Sequence, residues 1–220
     1  MLDCIEIEPK TSARASVIWL HGLGADGNDF VPIVDELGLG TDHGIRFVFP
    51  NAKTRPVTIN NGMAMRAWYD IKGMAIADKQ DAEGIRDSAS EIEQLIAREA
   101  ERGIAAESIV IAGFSQGGAI ALHTGVRHAE RLAGIMGLST YLPLAETLAN
   151  EASQANRQTP ILMAHGSQDP VVPVQLGQAS RDHLLDAGYD VAWHEYPMQH
   201  QVCMPEIATI GRWLGERLLR

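Results

Sequence analysis

The chain alternates short apolar runs with longer stretches in which apolar residues recur every three or four positions. The runs at 15–20 (ASVIWL), 45–49 (IRFVF), 108–114, 132–138, 160–164 (PILMA) and 189–196 predict strands, with Pro50 stopping the second. Helical spacing is clearest from 81 to 103, where Ile85, Ala89, Ile92 and Ile96 share one face and Gly103 supplies the stop. Further helices are predicted from Asn28, as N-cap, to Leu37, over about 116–126, over 174–187 and over 204–219, with a short helix or lid-like excursion at 143–152. Apolar strands separated by helices imply one mostly parallel sheet with helices on both faces. Residues 50–79 fit this rhythm least. Pro56, asparagines, glycines and the cluster Trp68-Tyr69-Asp70 leave room for one short strand at 57–59, and connections of that length tend to be functional or mobile.

In such sheets, sites form at the carboxyl ends of the strands. There the run SIVIAGFSQGGAIALHTG (108–125) reads as a strand, a glycine-flanked serine and a helix that starts at once. Its core, Gly113-Phe114-Ser115-Gln116-Gly117, matches the G-x-S-x-G nucleophile elbow, a sharp turn that lifts the serine hydroxyl above the sheet. The glycines have a steric task, because the turn brings backbones too close for a Cβ.

A serine hydroxyl becomes a useful nucleophile only beside a base, and the base needs an orienting partner. In the serine–acid–histidine order, Asp169 follows the PILMAHG strand in a turn closed by Pro170, whereas Asp182 and Asp186 fall in a helix and Asp190 begins a strand. Of the eight histidines, only His183, His194 and His200 come after Asp169; the first is helical, the second lies inside a strand, and His200 occupies a loop. Ser115, Asp169 and His200 are therefore the expected triad. The expected oxyanion donors are the N–H groups of Gln116 and of Leu23, in the His21-Gly22-Leu23-Gly24 turn after the first long strand. That turn could also suit a phosphate, but neither phosphate-loop nor dinucleotide spacing accompanies it. His21 and His165 lack zinc-motif spacing and read as loop braces, and Cys203 reads as a packed thiol rather than a nucleophile.

Composition narrows the partners. A net charge of −10 without a basic patch argues against nucleic acid and anionic membrane surfaces. The N-terminal MLDCIEIEPK has no apolar core of a signal peptide, and no run approaches the length of a membrane span. Two cysteines far apart in sequence read as free thiols in a reducing compartment. The expectation is a cytoplasmic protein without a stable membrane anchor, monomeric or homodimeric, acting on a small molecule.

The segments HGLGADGNDF, RPVTINNG, AWYDI, GFSQGGAIALH, STYLPL, HGSQDPVVP and EYPMQH span essentially the whole chain. By them the chain resembles the phospholipase/carboxylesterase family, which includes bacterial carboxylesterases and eukaryotic acyl-protein thioesterases and lysophospholipases. The resemblance implies a single α/β-hydrolase domain over 1–220 with no large cap domain, acting on carboxylic esters and often thioesters, with no cofactor and no metal. It places the same triad and oxyanion residues at the matching positions. Trp68, Met74, Ile76, Leu142 and Leu144 fall towards the side that holds the acyl group in that family. One departure stands beside His200, where relatives usually have glycine before and often glutamate after, and this chain has Gln199 and Gln201. The first expectation is a serine carboxylesterase for short- to medium-chain esters. The alternatives are an acyl-protein thioesterase or lysophospholipase and, more remotely, a non-catalytic ligand-binding protein on a hydrolase scaffold.

Overall fold

The computed structural model describes residues 1–73 and 80–219. In chain order its elements are β1 (Cys4–Ile7), β2 (Ala15–Leu20), α1 (Ile33–Glu36), β3 (Ile45–Pro50), β4 (Thr54–Val57), β5 (Met63–Arg66), α2 (Ala82–Glu101), β6 (Ile109–Phe114), α3 (Gln116–Gly125), β7 (Gly134–Leu138), α4 (Leu148–Glu151), β8 (Ile161–Gly166), α5 (Val174–Asp186), β9 (Val191–Tyr196) and α6 (Met204–Leu218). Seven strands form one sheet in the order β1-β3-β2-β6-β7-β8-β9. Only β1 runs antiparallel to its neighbour; every other pair is parallel.

The strands are apolar at successive positions because both faces of the sheet are covered. Ile18, Leu20, Ile109, Ile111, Ile161 and Met163 point to one core, shared with Ile85, Ile92 and Ile96 of α2, Ile120 and Leu122 of α3, and Leu184 of α5. Their neighbours Val17, Trp19, Val110, Ala112, Leu162 and Ala164 point to the other, closed by Ile33 of α1 and by Ile210, Trp213 and Leu214 of α6. This is the α/β-hydrolase arrangement without a large cap. Among the described residues no helix is long and apolar enough to cross a membrane.

Three local expectations are corrected. The continuous helix from Asn28 to Leu37 is instead a 3₁₀ turn at Gly27–Asp29 followed by the four-residue α1. Pro32 is the cause, because its ring and missing N–H interrupt a helix that begins upstream. The cap is Asp26, whose carboxylate accepts the Asn28 N–H at 2.8 Å, so Asn28 is not the N-cap. The possible strand at 57–59 is a hairpin of β4 and β5 outside the main sheet, in which residues 58–60 form a 3₁₀ turn.

Candidate active site

The parallel register brings the carboxyl ends of β2, β6, β7, β8 and β9 to one edge of the sheet. Ser115 sits at the end of β6 with φ 54° and ψ −120°, a conformation unfavourable for any residue with a Cβ. Such strain costs on the order of 1–3 kcal/mol and survives only where its surroundings over-determine it. Here the Ser115 N–H donates to the Leu138 carbonyl at 2.8 Å, and the Thr140 hydroxyl donates to the Ser115 carbonyl at 2.6 Å. A Cβ on Gly113 would stand 2.3 Å from the Gly117 carbonyl oxygen, and one on Gly117 would stand 2.5 Å from the Leu20 and His21 carbonyl oxygens. Both glycines are therefore steric requirements of the turn.

The structure brings Ser115, His200 and Asp169 together. His200 Nε2 lies 2.9 Å from Ser115 Oγ, and His200 Nδ1 lies 2.7 Å from Asp169 Oδ2. The Asp169 side chain is fully buried, and its other oxygen, Oδ1, accepts the N–H groups of Val171 and Val172 at 2.8 and 2.9 Å. One oxygen is thus spent on the turn after β8 and the second is left for the imidazole. His165 completes this turn: its Nε2–H donates to the Val172 carbonyl at 2.8 Å, and burial pushes its pKa down, so it serves as a neutral brace. The His200 loop rests on Gly166, where a Cβ would meet the Gln199 carbonyl oxygen at 2.3 Å. Gln199 itself is exposed and has no positive φ, so the backbone does not require glycine there.

Gln116 opens α3, and the first N–H groups of a helix have no intrahelical acceptor. Leu23, in the turn after β2, lines the same cavity as Ser115 and Gln116. His21 fixes that turn. Its Nε2 accepts the Ala52 N–H at 3.1 Å, which leaves the proton on Nδ1 to donate to the Gly22 carbonyl at 2.7 Å. Burial holds its pKa below the ordinary value, consistent with a neutral ring. The Gln116 side chain adds a brace that sequence reasoning missed: Oε1 accepts the Trp68 N–H and Nε2 donates to the Tyr69 carbonyl, both at 2.8 Å.

Two cavities flank the reacting atoms. One of about 240 Å³ carries Ser115, Gln116 and Leu23 at its mouth and is walled by Ile59, Tyr69, Ile71, Tyr141, Val171 and Val172. The other, about 430 Å³, lies on the His200 side against Phe30, Phe114, Val202 and Gln201. Trp68 lines neither. It is fully buried, and its indole N–H donates to the His21 carbonyl at 2.8 Å, behind the Leu23 turn. Leu142 is also absent from both; it faces a third cavity, while its neighbour Tyr141 reaches the Ser115 side. Leu144 is a buried core residue. Met74 and Ile76 lie outside the described residues.

The arrangement joins a hydroxyl to a base, the base to a buried carboxylate, and the hydroxyl to a mostly apolar cavity that Gln116 and Leu23 also line. A model of the phospholipase/carboxylesterase family matches residues 2–216. Acyl-protein thioesterase 1 of Yarrowia lipolytica is 38% identical over 220 residues, covering 97% of this chain and 96% of that protein. Among solved structures, Zea mays acyl-protein thioesterase 2 superposes with a TM-score of 0.88 at 30% identity, covering 99% of this chain and 100% of that one. Esterase PE8 superposes at 0.84 with 26% identity and 99% coverage of both chains.

Proposed function

The chain belongs to the phospholipase/carboxylesterase family of hydrolases, and we propose that it is a serine hydrolase cleaving carboxylic esters and thioesters of short to medium acyl chains through an acyl-enzyme. The observation that carries this reading is the hydrogen-bond chain from Ser115 through His200 to Asp169 at the mouth of a mostly apolar cavity. In this reading Ser115 Oγ attacks the acyl carbonyl while His200 Nε2 takes its proton. Asp169 holds the ring by Nδ1–H and stabilises the imidazolium as it forms. The N–H groups of Gln116 and Leu23 receive the charge that develops on the carbonyl oxygen. His200 then returns the proton to the departing alcohol or thiol, which leaves on its own side, along Phe30, Phe114 and Val202. Water enters, His200 takes its proton, and hydrolysis regenerates Ser115.

Esters and thioesters share this mechanism, and the distinction between them lies in the leaving group. The relatives named acyl-protein thioesterase 1, including that of Neurospora crassa at 40% identity, support thioesters as substrates. Measuring kcat/KM on butanoyl and octanoyl esters and thioesters with matched leaving groups separates the two. A ratio well above that of the uncatalysed reactions in favour of thioesters identifies a thioesterase; a ratio at or below it identifies an esterase.

A further inference from the structure

The cavity beside Ser115 has two phenols in its wall. Tyr69 and Tyr141 meet hydroxyl to hydroxyl at 2.7 Å, with Tyr69 almost wholly buried. On the other side of Tyr141 lies the third cavity, of about 450 Å³, lined by Leu142, Leu176 and Ala179 together with the polar Gln80, Glu146 and His183. Tyr141 is the single residue that lines both spaces among the described residues. We propose that Tyr141 is the wall that limits acyl chain length, and that the space behind it is a continuation of the acyl tunnel which the phenol closes. The proposal rests on the acyl-enzyme reading above.

Three features support a wall. The space on the Ser115 side is smaller than the one behind it, so an alkyl chain bonded to Ser115 runs out of room before the apolar surface does. The hydroxyl pair ties the Tyr141 ring to a buried partner, and burial raises the pKa of both phenols, so neither ionises near neutrality to swing towards water. The backbone that carries Tyr141 is held independently of its ring. The Leu142 N–H donates to Ser180 Oγ and the Leu144 N–H to Gln80 Oε1, both at 2.8 Å. Arg127 donates to the Leu144 carbonyl at 3.1 Å and to Thr147 Oγ1 at 2.9 Å. Truncating the ring therefore removes the partition and leaves the loop in place.

The test compares kcat/KM across p-nitrophenyl esters from butanoyl to dodecanoyl for the wild type and for Tyr141→Ala, Tyr141→Leu and Tyr141→Phe. Each methylene newly buried is worth about fourfold, so the decanoyl-to-butanoyl ratio rises at least ~10-fold in Tyr141→Ala. It rises less in Tyr141→Leu and stays at the wild-type value in Tyr141→Phe, which keeps the ring and loses only the hydroxyl. A ratio unchanged in both truncated variants, with Ser115 still labelled by a fluorophosphonate, overturns the proposal. The wild type supplies a second reading that needs no variant: its inactivation by alkyl fluorophosphonates accelerates with chain length and then levels off. Acceleration that continues to dodecyl also overturns it. A wild type that neither turns over any ester or thioester nor labels at Ser115 overturns the function itself, and the wall with it.

Discussion

Two carboxylates with fully buried side chains stand at opposite edges of the sheet, and they are treated differently. Glu99, near the end of α2, is met by three guanidinium groups: Arg46 at 2.8 Å, Arg102 at 2.9 Å and Arg98 at 3.3 Å. Asp169, after β8, meets no guanidinium among the described residues; two backbone N–H groups and the imidazole of His200 compensate it. Arginine keeps its proton at any working pH, so the Glu99 cluster is a static tie between α2, β1 and β3. Asp169 instead has only neutral backbone donors and an imidazole, so no permanent cation locks it to one partner. On the proposed function, the same burial yields a structural clamp at one edge and a device for moving protons at the other.

The largest effect expected at the reactive edge comes from Ser115→Ala, which lowers kcat/KM by about 10⁴-fold or more with no change in the thermal midpoint beyond a few degrees. Asp169→Asn lowers it by about 10⁴-fold through the wrong imidazole tautomer, while the turn amides keep an acceptor. At the other edge, Glu99→Ala costs about 1.5–3 kcal/mol in denaturant unfolding, because three cations lose their shared partner while each keeps Glu6 or Glu8. Its kcat/KM stays within about twofold of wild type when measured well below the unfolding midpoint. A comparable loss of activity in Glu99→Ala breaks the division between the two edges.

A third buried carboxylate sharpens the comparison by having neither a guanidinium nor an imidazole beside it among the described residues. Glu206, in the first turn of α6, meets no arginine or histidine among the described residues, and burial, offset only by the Cys203 backbone N–H, pushes its pKa up to about 8. The folded protein then holds a proton that the unfolded chain has released. Stability therefore falls as pH rises from the ordinary glutamate value near ~4.3 to about 8. Glu206→Gln flattens that slope, and its advantage over wild type is largest above pH 8. Chemical denaturation at several pH values measures it. An identical slope in both proteins contradicts the assignment.

The reactive edge was legible in the sequence because its residues are chemically out of place at strand ends. A serine between glycines, an aspartate before proline and a loop histidine each interrupt an apolar rhythm that continues on either side. The apolar alternation likewise marked six of the seven sheet strands. What escaped was carried by geometry that periodicity does not encode. β1 is only four residues with Glu6 in it, and the β4–β5 hairpin is short and largely exposed. The resemblance puts Trp68 on the acyl side, but the chain bends at Trp68 and Tyr69, and the indole turns into the core while Tyr69 reaches the cavity. Leu142 and Tyr141 differ in the same way. Their loop passes through Leu144 at φ 50°, a left-handed conformation that no pattern of residue types announces for leucine. The Gln116 brace carried one signal, a polar residue opening an otherwise small and apolar helix.

The central claim is that Ser115 carries the acyl group. Rapid mixing with p-nitrophenyl butanoate, followed by acid quench and intact-mass analysis, tests it directly. The account predicts a burst of p-nitrophenol, a butanoyl adduct that maps to Ser115 by peptide sequencing, and neither in Ser115→Ala. An adduct on another residue, or wild-type turnover by Ser115→Ala, contradicts it.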